Sequence, residues 1–102
     1  MKEYHKLVRD KIPQIIRQGG ETPFVRVLED EEYIQHLEQK LDEEVQEYHT
    51  DKNVEELADI LEVVYALAAA GGYSKEELLA VYQHKHDARG GFASRIFLIG
   101  KE

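Results

Sequence analysis

The chain has 102 residues, with 42% hydrophobic and 33% charged residues, no cysteine and a formal net charge of −8. That is the size of one domain, residues 1–102, rich in charge but with enough recurring apolar positions to fold. The absence of cysteine excludes a disulfide framework, a thiolate metal site and a thiol nucleophile, and the negative charge argues against nucleic acid as a partner. The longest uncharged stretch, from Val63 up to Lys75, is far short of the ~20 residues a membrane span needs. Met1–Asp10 carries charges where a signal peptide would carry an apolar core, so no membrane partner and a cytoplasmic location are expected.

The charge is unevenly spread. Residues 1–28 carry a net +3, residues 29–62 a net −12 and residues 63–102 a net +1. An acidic middle of this kind is either a solvated helix face or a site that concentrates carboxylates around cations.

In chain order, residues 4–9 read as extended or irregular. Asp10 is placed to cap a short helix with Pro13 in its first turn, which Gly19-Gly20 stops. Thr22–Leu28 is a connector holding at most one brief strand. Asp30 is placed to cap a long helix to about Thr50, whose apolar stripe is Ile34, Leu37, Leu41, Val45 and Tyr48. Asp51-Lys52-Asn53 turns the chain. Asn53, with Glu56 three residues on, reads as a capping box opening a second long helix that ends at Gly71-Gly72. The half from Val63 to Ala70 is apolar all round, more than one small chain can cover, and this points to an oligomer built through helices. Ser74 and Glu77 form another capping box, and the helix they open stops at Gly90-Gly91. The tail from Phe92 to Ile99 is expected to pack back on the bundle or on a partner subunit. The expected fold is all-α: an antiparallel helix hairpin or bundle completed by oligomerisation, with short extended N- and C-terminal segments.

Glu44 and Glu47 are three residues apart on the first long helix, and Glu56 and Asp59 three apart on the second. That spacing puts each pair on one face. The short turn brings the two pairs together at the hairpin mouth. Carboxylates so crowded resist joint ionisation unless a cation lies among them, and an oxygen-only set suits Mg²⁺, with Mn²⁺ as the alternative. The plainer account is that Glu56 only caps its helix and the others are solvated. Glu43 and Glu55 each precede a pair and are candidates to orient water or act as a base, although the periodicity places Glu43 roughly opposite the apolar stripe. The five histidines lack a shared metal spacing, and Tyr48, Tyr65 and Tyr82 read as core.

The run Glu43-Glu44-x-x-Glu47, followed by Glu55-Glu56-Leu57-Ala58-Asp59, resembles the all-α, MazG-like nucleotide pyrophosphohydrolases. It is most similar to their small, phosphoribosyl-ATP pyrophosphohydrolase-like branch. Lys6–Pro13 at the start, and Lys85, Arg89-Gly90-Gly91-Phe92 and Arg95-Ile96 at the end, carry the same resemblance. It implies hydrolysis of a nucleoside triphosphate at the α–β phosphoanhydride, giving monophosphate and pyrophosphate. It implies Mg²⁺ held by Glu44, Glu47, Glu56 and Asp59, and a homodimer or dimer of dimers. One departure is that only eight residues separate Glu47 from Glu56, a hairpin shorter than in typical members, so the pocket that reads the base differs. Lys85, Arg89 and Arg95, then Arg9 and Lys11, are the candidate phosphate contacts. Phe92 and Tyr4 are candidates to line a nucleobase pocket. A non-catalytic nucleotide or metal sensor and a helical interaction module are the alternatives on the same scaffold.

Overall fold

The computed structural model describes residues 1–102 and is all-helical. Its elements are α1 (Ile12–Gln18), α2 (Asp30–Asp51), α3 (Val54–Ala70) and α4 (Lys75–Arg89). No strand forms in the connector 22–28. No single helix is long and apolar enough to cross a membrane.

The caps explain most of the boundaries. The Asn53 side chain accepts the Glu56 backbone N–H at 3.1 Å. At α4 the capping box is complete, with Ser74 Oγ accepting from Glu77 N and Glu77 Oε1 accepting from Ser74 N. At α3 only the Asn53 half of the box forms, which leaves the Glu56 carboxylate for other contacts. Two expected caps are absent. Asp10 does not cap α1, because Pro13 suits only the first helical positions and moves the start to Ile12, behind Lys11. Asp30 is the first residue of α2 rather than its cap. Glu29 holds the extended conformation, and the acids Asp30, Glu31 and Glu32 fill the first turn, where the helix dipole favours them.

The connector is tied to α2 by Arg26, whose guanidinium donates to both Glu32 carboxylate oxygens at 2.9 and 2.7 Å. That bidentate hydrogen bonding, more than bare charge, raises the Arg26 pKa and lowers that of Glu32.

α2 and α3 form the hairpin that organises the chain, joined by only Lys52 and Asn53. Lys52 takes the left-handed conformation that closes α2 (φ 52°), and its N–H bonds to Tyr48 O at 2.8 Å. Leu37 on α2 and Val63 on α3 are the two buried residues, 3% and 7% exposed. Gly72, at φ +90°, supplies the reversal after α3. The chain turns through 110° between α3 and α4, so α4 leaves the hairpin at a steep angle and touches α3 alone. Tyr82, expected in the core, is instead exposed on α4 and stacks on His86. The tail does not pack back on its own chain: Phe92, Ile96, Phe97, Leu98 and Ile99 are all exposed. The resulting shape is extended, 61 × 32 × 24 Å with a radius of gyration of 17.9 Å, against about 13 Å for a compact domain of this length.

With so small a core, Leu37 carries much of the hairpin's packing. Leu37→Ala is expected to cost about 2–5 kcal/mol, read by denaturant unfolding of the full chain. A loss under about 1 kcal/mol would show that the hairpin is held by something other than this contact.

Candidate functional site

The hairpin mouth gathers carboxylates into two overlapping groups. In one, ligand oxygens of Glu44, Glu56 and Asp59 all lie within 4.8 Å of one another; in the other, those of Glu47, Asp51 and Glu56 do. Glu56 belongs to both. All four sequence-predicted ligands therefore meet at one end of the hairpin, but Glu47 sits on the far side of Glu56 with Asp51. Asp51 was not singled out from the sequence, although it follows Glu47 by one helical turn.

The crowding has an electrostatic consequence. The Glu56 carboxyl is raised above the usual carboxylate range, first by partial loss of solvent and then by the charges of Asp51, Glu47 and Asp59. An oxygen-only donor set with a carboxylate that resists ionisation fits a hard cation such as Mg²⁺, whose charge reverses that penalty.

Beside the first group lies a shallow groove between the N-terminal segment and the hairpin. Glu44 and Asp59 line it together with Lys6, Arg9, Lys40 and Ile12. Arg9 donates to Asp59 Oδ1 at 3.3 Å and to Glu62 Oε1 at 3.0 Å. Lys40 Nζ stands 3.4 Å from Glu43 Oε1 and 3.6 Å from Glu44 Oε1. Lys40 and Glu44 are the least exposed of these paired side chains, at 18% and 14% of side-chain surface.

The groove thus brings in one expected cation and not the others. Arg9 is there. Lys11 is exposed at the start of α1 and does not line the groove. Lys85, Arg89 and Arg95 form no ion pair within the chain, and the turn before α4 carries them off the hairpin. Glu43 holds Lys40 rather than facing the groove, and Glu55 is exposed outside both carboxylate groups. Tyr4 and Phe92 are likewise exposed and line no pocket with the carboxylates. Lys6 and Lys40 were missed. Lys40 was legible, since it precedes Glu43 and Glu44 by the three and four residues that pair side chains on a helix; Lys6 depends on how the irregular N-terminal segment folds back and had no such signal.

No family model matches the chain, and no solved structure matches it. A protein of Mycolicibacterium smegmatis described as uncharacterized is 57% identical over 42 residues. The matched stretch spans 41% of this chain and 43% of that protein, less than half of either.

The raised Glu56 pKa makes the metal-free protein pH-sensitive. A carboxyl whose folded-state pKa exceeds its unfolded value stabilises the fold below the unfolded pKa, and that stability is lost as pH rises through the folded pKa. In chelator, the melting temperature is therefore expected to fall across the Glu56 titration, and Glu56→Gln should flatten this fall and melt higher than wild type at neutral pH. Parallel pH profiles for the two proteins would show that Glu56 is not under this strain.

Proposed function

We propose that the chain is a Mg²⁺-dependent nucleotide pyrophosphohydrolase acting on a nucleoside triphosphate or a phosphoribosyl-ATP-like nucleotide. Water adds to the α-phosphorus and the α–β phosphoanhydride breaks, leaving a monophosphate, pyrophosphate and a proton. The observation that carries this reading is the groove in which Glu44 and Asp59 stand beside Lys6, Arg9 and Lys40. Carboxylates alone repel a polyphosphate; the groove sets them beside cations that can bond phosphate oxygens. The resemblance to MazG-like enzymes stated above agrees with it.

In this reading Glu44, Glu56 and Asp59 would hold a divalent cation, and the second group, Glu47, Asp51 and Glu56, offers another set of oxygens for one. Bound there, Mg²⁺ supplies Lewis-acid stabilisation of the charge that develops on the phosphate oxygens. Lys40 and Arg9 exchange their carboxylate partners for phosphate oxygens, orienting the chain of phosphates along the groove. Arg9 is suited to this because its planar guanidinium can bond two oxygens at once. A metal held by Glu44 and Asp59 would free Lys40 and Arg9 from those two partners, leaving Glu43 and Glu62 to keep them at the edge of the groove.

The existing ion pairs favour a second reading. Arg9 with Asp59 and Glu62, and Lys40 with Glu44, already compensate part of the acidic charge without any metal. On that account the hairpin is an interaction module, or a sensor that binds nucleotide without turnover.

Pyrophosphate release from a panel of standard and modified triphosphates and phosphoribosyl-ATP separates these. Release that needs Mg²⁺, stops with chelator and drops at least about 100-fold in Glu44→Gln is expected. Lys40→Ala should raise KM about 10-fold, or roughly 1.4 kcal/mol of binding. No release, with a melting temperature still raised by nucleotide and Mg²⁺, would favour the sensor; no response to either ligand would favour the interaction module.

A further inference from the structure

The chain carries two apolar surfaces that it does not cover itself. One is a stripe on α3: Val54, Leu57 and Leu61, at steps of three and four, are 48–72% exposed on the side away from Glu56 and Asp59. The other is the tail, where Ile96, Phe97, Leu98 and Ile99 are 76–94% exposed and residues 96–102 make no backbone hydrogen bond. The 110° turn before α4 carries the tail away from the hairpin, so one copy does not bring its two surfaces together.

The area involved is large. The accessible surface is 9323 Å², whereas a folded chain of 11.8 kDa exposes about 5,900 Å². The excess far exceeds the ~800 Å² per partner that a stable interface buries. Charge selects the occupant. Residues 85–102 carry four Lys/Arg against two acids, while residues 29–62 carry a net −12. Helical spacing sets Glu55 and Glu62 along one border of the stripe.

We propose that α4 and the tail form an arm that docks on the α3 stripe of a second copy, reciprocally, in a two-fold dimer. Each tail's Ile96–Ile99 covers the Val54–Leu57–Leu61 stripe of the other chain. Arg95 then lies toward the acidic border, which gives Glu55 an electrostatic role outside the carboxylate site. A two-fold exchange satisfies both surfaces at once, because the same patch pair recurs on each side. The inference does not depend on the nucleotide reading.

The test exploits the absence of cysteine. Ala58→Cys, on the stripe, and Leu98→Cys, in the tail, are made in full-length chains of different mass. The two are mixed, allowed to exchange and oxidised with oxidised glutathione. A disulfide between an Ala58→Cys chain and a Leu98→Cys chain is expected. Disulfides between Ala58→Cys chains alone would mean that α3 packs on α3 and would overturn the arm, as would no disulfide at all. Unmodified protein supplies the measurement that does not rely on either variant folding. By sedimentation it is expected at twice the mass of one chain or more, with lysine cross-links from Lys101 to Lys40 or Lys52 joining isotopically distinct copies. A folded monomer, or cross-links confined to one chain, would overturn the proposal.

Discussion

The structure depends on the crowding of carboxylates at the mouth of the α2–α3 hairpin. Two residues, Lys52 and Asn53, join the helices, so the acidic end of α2 and the acidic start of α3 meet at close range. Glu56 feels this most, between Asp51 and Glu47 on one side and Asp59 on the other. Like charges held together cost free energy, and a fold with two buried residues has little packing to offset it. Arg9 and Lys40 relieve part of the cost. A divalent cation would relieve more of it, because it would bring two charges to one point among oxygens already in place.

The same placement explains why the N-terminal segment matters. Residues 1–11 have no helix of their own, yet Arg9 reaches Asp59 and Glu62 across the sequence and ties that segment to α3. The groove is the consequence. Of its cations, Lys40 stands on α2 while Lys6 and Arg9 come from that segment, and Arg9 is held in part by Asp59, one of the carboxylates proposed to bind a metal.

Much of this was legible in the sequence, and the reasons differ by element. The all-α fold and the hairpin followed from stripes at helical spacing, and Asn53, Ser74 and Glu77 marked helix starts because their side chains satisfy otherwise unpaired N–H groups. The meeting of Glu44, Glu56 and Asp59 followed from the spacing plus the short turn. Asp10 and Asp30 misled, because proline geometry and a run of acids shifted each start, and a residue type names a cap only within a residue or two. The groove was only partly legible. Arg9 lines the groove, whereas Lys85, Arg89 and Arg95 lie away from it within one chain, since the angle at which α4 leaves α3 is set by a short glycine-containing turn and not by periodicity. The tail was half legible for a related reason: an apolar run announces burial but does not choose between the two surfaces expected for it, its own bundle or a partner subunit, and the structure removes the first.

The central claim is that the carboxylates at the hairpin mouth form a cation site. Calorimetric titration of the chelated, metal-free protein with Mg²⁺, and then with Mn²⁺, tests it without reference to any substrate. Saturable binding is predicted, weakened at least about 10-fold, or roughly 1.4 kcal/mol, in Asp59→Asn and retained in Glu38→Gln, a substitution elsewhere on α2. Equal binding by all three proteins, or none by wild type, would contradict the account.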